Sequence, residues 1–175
     1  MERAELEKKL EEIEWEDFEV KTCENKISKS SWETVSAFSN TSGGWLIFGI
    51  EQIGNKFDIK GLVNPEKIEQ DFTTALRNHK FNRIIEPKCK KYEIDNKIIL
   101  GFYIPAKNPK EKPIYFGNTQ TNTFIRVGSG NQRATKEEIE AMHRNSSFEE
   151  KDNQVCEFGI EGLDINTIEK YRNIQ

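Results

Sequence analysis

A helical run that stops on paired glycines and turns at once into an apolar strand leaves a chain few ways to fold. Residues 36–52, SAFSNTSGGWLIFGIEQ, form such a run. The turns leading into it put Trp32, Val35 and Phe38 on one face. A helix ends most easily where glycine can take positive φ, so Gly43 and Gly44 mark a sharp reversal. Trp45–Ile50 is then a short apolar run of the kind buried on both faces of a sheet. Glu51 and Gln52 fall at its C-terminal end, where open α/β folds often hold their chemistry. The fold class expected is α/β (α+β), a mixed central β-sheet with helices packed on it.

The rest of the chain supplies matching pieces. Leu6, Leu10 and Ile13 form a helical stripe over 2–13, and from Trp15 the period shortens. Phe18 and Val20 alternate with Asp17, Glu19 and Lys21, as in a half-exposed strand. Ser30-Ser31-Trp32-Glu33 reads as a capping box opening a helix to about Asn40. A Gly54-Asn55 turn leads to a strand at Phe57–Lys60. Asn64-Pro65 then caps a helix whose apolar face is Ile68, Phe72, Ala75 and Leu76. Cys89–Ile94 and Ile98–Ile104 read as a hairpin across Asp95-Asn96, followed by a Lys-rich loop broken by Pro105, Pro109 and Pro113. Ile114–Phe116 and Phe124–Val127 read as short strands. GSGNQ at 128–132 reads as a glycine loop able to point successive amides at an anion. Thr135–Glu138 is a second capping box. The domain is expected over 1–145. Residues 146–175 are read as a linker and the start of a further helical element, Leu163–Ile174, of a longer protein.

Charge is unevenly spread. Residues 1–19 hold 3 basic and 9 acidic side chains, residues 20–133 hold 18 and 11, and residues 134–175 hold 5 and 10. A net charge of −4 thus conceals a basic middle. Such a middle suits a phosphate backbone, with affinity that falls as salt rises. A solvated surface of mixed charges is the plainer reading. No apolar run approaches the ~20 residues needed to span a bilayer, so no membrane role and a cytoplasmic location are expected. Cys23, Cys89 and Cys156 are odd in number and widely spaced, which fits reduced thiols better than disulfides. His79 and His143 lack zinc-ligand spacing with them.

Two groups of residues could carry chemistry. In EWEDFEVK, residues 14–21, Glu19 and Lys21 are two apart and share a strand face. A carboxylate beside an amine suits metal-assisted phosphodiester cleavage if further carboxylates such as Glu14 and Glu51 converge on one ion. A salt-bridged strand would leave the same pattern. Arg126 and Arg133 flank VGSGNQ and could hold a phosphate, or could be surface arginines on a strand-to-helix connection. No G-x-x-x-x-G-K-[ST] or G-x-S-x-G motif occurs.

In order and spacing, FEVK, VSAFSNTSGGWLIFGI, IKGL, PIYF and TFIRVGSGNQRAT resemble the Schlafen AlbA_2 domain over roughly residues 5–145. The most specific part is Ala-Phe-x-Asn-Thr-x-Gly-Gly at 37–44 with the Gly49 strand end. The resemblance implies a nucleic-acid-binding module of a prokaryotic transcriptional regulator or defence-type protein. Lys21, Arg126 and Arg133 would contribute to binding DNA or structured RNA, and homodimerisation is a further option. It also raises a rival, since some Schlafen relatives are metal-dependent endoribonucleases. In that case Glu14, Glu19 and Glu51 would be catalytic and would hold Mg²⁺ or Mn²⁺. Two departures bear on the rival. Val20 replaces the usual Phe, and Glu51-Gln52 replaces two adjacent acids, so a site needing the second acid would meet a neutral amide. A protein-interaction or dimerisation module is the third reading.

Overall fold

Gly44 fixes how the chain crosses itself. A Cβ there would lie 2.7 Å from Phe38 Cε1 and 2.8 Å from the Asp17 carbonyl oxygen. Helix and strand can therefore pack this closely only where no side chain intervenes. Gly43 before it takes φ +80°, and its amide hydrogen-bonds Phe38 O at 2.9 Å to close the helix. Gly44→Ala should cost about 2 kcal/mol by overpacking, read as a lower urea midpoint at unchanged m-value.

The computed structural model describes residues 5, 6, 8, 16–23, 26–54 and 56–152, with side chains to 146. In chain order the elements are β1 (Phe18–Lys21), α1 (Lys29–Asn40), β2 (Gly44–Phe48), β3 (Ile50–Ile53), β4 (Lys56–Ile59) and α2 (Pro65–Arg77). There follow β5 (Lys88–Ile94), β6 (Lys97–Ile104), β7 (Phe124–Val127), β8 (Gly130–Arg133) and α3 (Lys136–Asp152). The fold is α+β. Its sheet has the order β1-β2-β6-β5, with β1 parallel to β2 and the other pairs antiparallel. Two hairpins, β3-β4 and β7-β8, stand apart from it.

Strand alternation sends side chains to two cores. Leu46, Phe48, Leu100 and Phe102 face α1 and α2, where Phe72 meets Phe102 at 4.5 Å, Phe48 at 5.2 Å and Trp32 at 5.5 Å between ring centroids. Phe18, Val20, Ile47 and Ile99 face the other way, with Leu6, Tyr92 and Ile50 completing a second cluster. Glu5, Leu6 and Lys8 are helical, and the remaining residues of the stripe expected over 2–13 lie outside the described residues.

Two caps form as expected. Asn64 Oδ1 accepts from the Lys67 amide at 3.0 Å. Thr135 and Glu138 cap reciprocally at 3.2 and 2.8 Å. Asp95 and Asn96 both take positive φ in the β5-β6 turn, which suits a two-residue hairpin. The first capping box is not used. Helix α1 starts at Lys29 with Ser28 as N-cap, and Ser30 already lies inside it; the Ser31 amide bonds Ser28 O at 3.1 Å.

The expected strand Trp45–Ile50 breaks at Gly49, whose φ is +98°. The Gly49 amide bonds Lys21 O at 2.9 Å, while its carbonyl accepts from the Lys60 and Gly61 amides. The chain bends out of the sheet there, which places Glu51 and Gln52 inside β3 rather than at the end of β2. Residues 114–116 make only isolated bridges, Tyr115 to Thr123 and Phe116 to Phe81. GSGNQ is the turn and the first three of the four residues of β8. Helix α3 runs through the boundary expected at 145 and on to Asp152. Cys156 and the helix expected over Leu163–Ile174 lie outside the described residues. Among the described residues no helix is long and apolar enough to cross a membrane.

Candidate nucleic-acid interface

β1 is an edge strand, so alternate carbonyls along it face away from β2 without a partner strand. Arg126, on β7, supplies the missing donors. Its Nη2 donates to Phe18 O at 2.9 Å and its Nε to Glu16 O at 3.0 Å. Nη1 donates to Glu19 Oε2 at 2.7 Å and to Asn131 Oδ1 at 2.9 Å. The guanidinium also lies 5.2 Å from the Phe38 ring centre, and the side chain is 3% exposed. The sequence leaves Arg126 open between a phosphate contact and a surface arginine. The fold commits its donors internally, as a substitute for the next strand.

The network continues in both directions. Glu19 Oε1 accepts from Lys21 Nζ at 2.7 Å, so both carboxylate oxygens are held by cations. Asn131 Nδ2 donates to Thr34 Oγ1 at 2.8 Å, and that hydroxyl donates to Ser30 O at 3.0 Å. One chain of polar groups therefore links the sheet edge, the β7-β8 hairpin and α1. Arg133 is exposed, with its guanidinium 5.5 Å from the Phe124 ring centre.

Glu51 and Gln52 point to opposite sides of β3. Gln52 lines a small cavity of about 120 Å³ together with Glu19, Phe57 and Arg126. Glu51 lines a separate cleft of about 500 Å³ with Lys21, Lys26, Ser28 and Ser30. Glu51 also pairs with Lys60 at 3.2 Å, and Lys60 pairs with Asp58 at 2.8 Å. The Lys60 hydrogen bond holds the Asp58 carboxyl below its usual range, and Asp58 and Glu51 in turn raise the Lys60 ammonium. Cys23, also in this cleft, is a buried free thiol pushed up to about 11 by desolvation, which favours the protonated thiol at neutral pH.

Glu14 lies outside the described residues. Among the described residues no group of three or more His, Cys, Asp and Glu side chains is placed to hold a metal ion. The described members of the acidic set do not fit Mg²⁺ or Mn²⁺. A cation at Glu19 would have to displace Lys21 or Arg126, and the neighbour across the cavity is the amide of Gln52. That mismatch is one of donor chemistry, since hard divalent ions select anionic oxygen.

The polar residues of SAFSN have a different task. Asn40 Nδ2 donates to Ile114 O at 2.8 Å and to Phe124 O at 3.0 Å, while its Oδ1 accepts from Ile114 N at 2.8 Å. Ser36 Oγ donates to Ile114 O at 2.7 Å and accepts from Phe124 N at 3.0 Å. Helix α1 thus grips two returning segments more than 70 residues away. Lys112 Nζ closes the helix end on Asn40 O at 2.8 Å, and desolvation lowers its pKa. Spacing four apart put Ser36 and Asn40 on one helix face, and their burial was the signal that sequence reasoning missed.

The mixed sheet, the Gly-Gly helix-to-strand turn and the packed helices make this an α+β domain. The Schlafen, AlbA_2 family model matches residues 14–135, and the chain belongs to that family. Among solved structures the chain is similar to the N-terminal domain of a protein related to the ATP-dependent DNA helicase RecG, from Nitrosomonas europaea. That match has 27% identity and a TM-score of 0.53, covering 67% of this chain and 82% of that one. The DIP2311 protein of Corynebacterium diphtheriae matches at 20% identity and a TM-score of 0.49, covering 73% of this chain and 26% of that one. No curated protein matches the chain.

Proposed function

We propose that this chain is a nucleic-acid-binding module, within a prokaryotic transcriptional regulator or defence-type protein. The observation that carries the reading is its membership of the AlbA_2 family together with its likeness to the N-terminal domain of a DNA-helicase-related protein. The surface beside β1 supports it. Lys21 and Lys26 line the cleft at the start of α1, which has no acidic residue in its first turn. Arg133 is exposed on β8, the strand from which Asn131 holds Arg126. In this reading Lys21, Lys26 and Arg133 meet phosphates, and Arg126 acts through the framework that places them.

Fluorescence anisotropy with labelled duplex DNA and transfer RNA tests this. Three phosphate contacts on a duplex give a log–log salt slope near −2.7, so affinity should fall about fortyfold between 50 and 200 mM salt. Salt-independent binding, or none, would leave the interaction-module reading in its place. A Mn²⁺ arm tests the nuclease rival, and transfer RNA should remain uncut because Glu19 is held by two cations and faces Gln52. Mn²⁺-dependent cutting that Glu19→Gln abolishes would restore the nuclease reading.

A further inference from the structure

A further cavity, among the described residues, has no part in the β1 site. It is a groove of about 760 Å³ between the loop after α2 and the residues following β6. Arg77 and Arg83 line one wall, with His79 beside them, and Lys107 and Glu111 line the other. Lys107 and Glu111 neutralise each other at 2.7 Å. Arg77 and Arg83 are both exposed, and among the described residues neither has a carboxylate within ion-pair distance or a hydrogen-bond acceptor. The Lys107 ammonium first, and then burial, its charge and that of Arg83, set the Glu111 carboxyl, which ends below its usual range. The groove's field is therefore positive in net effect. Among the described residues lining the groove, Glu86 and the Lys107-paired Glu111 are the carboxylates set against Arg77, Arg83 and Lys107.

The backbone under these arginines is fixed, although it is neither helix nor strand. The Asn82 side chain accepts from Tyr115 N at 2.9 Å and donates to Pro113 O at 2.9 Å, and its own amide donates to Tyr115 O. Phe81 and Ile85 are buried on either side, and the Ile85 amide bonds Leu76 O at 3.2 Å. Arg83 and Ile84 therefore project from a segment pinned at both ends, with Ile84 56% exposed. On the far wall the Lys107 amide bonds Ser39 O at 2.8 Å. Arg77 ends α2, where a cation complements the helix dipole, but among the described residues that role leaves its N–H donors without an acceptor. Two forked donors on a rigid wall, with an exposed apolar side chain between groove and solvent, match a phosphate with a sugar or base against it.

The geometry points to a second nucleic-acid contact in this groove, in which Arg77 and Arg83 clamp the phosphodiester backbone of a single strand. The volume admits one or two nucleotides. This inference rests on the nucleic-acid-binding reading and adds a site to it. The strand would be held at two places, the β1 edge and this groove, each with its own salt-sensitive contacts.

The test is anisotropy with a labelled single-stranded 20-mer, comparing native protein, the Arg77→Ala/Arg83→Ala pair and Lys67→Ala. Lys67→Ala removes one charge from the other end of α2 and serves as the control. Both arginines are solvent-exposed, so the pair should stay folded, its melting temperature lowered by at most a few degrees through the lost helix-end cation. The pair should lose roughly tenfold in affinity and flatten the salt slope by about 1.4, two contacts at ~0.7 each on a single strand. Lys67→Ala should change neither. Native protein that binds while the pair keeps full affinity and slope overturns the groove assignment and leaves the β1-edge reading intact. Native protein that binds no oligonucleotide overturns both. A 5′-mononucleotide that binds tightly and is lost in the pair, without oligonucleotide binding, would make the groove a nucleotide pocket and overturn the strand assignment.

Discussion

Asn40→Ala should lower folding stability by about 3 kcal/mol, seen as a reduced urea midpoint with an unchanged m-value. The Asn40 side chain is 5% exposed and makes three hydrogen bonds of 3.0 Å or shorter to the backbone of Ile114 and Phe124. Each buried partner left unsatisfied costs ~1–3 kcal/mol, because no water replaces the amide in a packed interior. Ile114 O keeps Ser36 as a donor, so the loss falls short of the full sum. Ser36→Ala should cost about 1–2 kcal/mol, since it strands Phe124 N but leaves Asn40 in place. Asn40→Asp is the sharper variant. It keeps the shape and the acceptor for Ile114 N, loses two donors, and buries a charge against two carbonyl oxygens. A change below 1 kcal/mol in Asn40→Ala would mean that the returning segments are held by packing alone.

That expectation could not have come from the sequence by itself, and the reason is physical. Periodicity reports which residues are apolar and how they recur, so it located α1, α2 and the β5-β6 hairpin. It also gave the turn at Asp95-Asn96 and the caps at Asn64 and Thr135, whose chemistry is local. A long-range polar clamp has no period. Ser36 and Asn40 in SAFSN look like helix-end residues until residues 114 and 124 are placed beside them. The break at Gly49 escaped for a related cause. The apolar run continues through Ile50, and only the closeness of Ile99, 2.9 Å from where a Cβ would stand, shows why the chain must bend there. In the candidate site, adjacency of Glu19 and Lys21 followed from strand alternation. The partner of Glu19 did not, because Arg126 is 107 residues away. An arginine beside a glycine loop reads as a phosphate ligand from sequence, and its bonds to Glu16 O, Phe18 O, Glu19 and Asn131 are visible only in the fold.

Arg126→Ala should therefore act on stability before it acts on binding. The substitution removes donors from Phe18 O on the open edge of β1 and from Glu16 O just before it, and takes one of two cations from Glu19. Breaking a buried pair costs ~3–5 kcal/mol, and Glu19 at 19% exposed retains Lys21, so a loss of about 3 kcal/mol is expected. Glu19→Ala should cost about 2 kcal/mol, since Arg126 keeps both carbonyls and Asn131. The double variant should show a coupling of about 1–2 kcal/mol, because the two side chains share one contact. Arg133→Ala should behave in the opposite way. It gives up only an exposed cation–π contact, so stability should move by no more than about 1 kcal/mol while duplex affinity falls and the salt slope flattens by about 0.9. Measured at a temperature where every variant is folded, Arg126→Ala should keep more of its affinity than Arg133→Ala does. Native stability with impaired binding in Arg126→Ala would place the guanidinium at the phosphate after all, and the edge-strand carbonyls would then be satisfied by water.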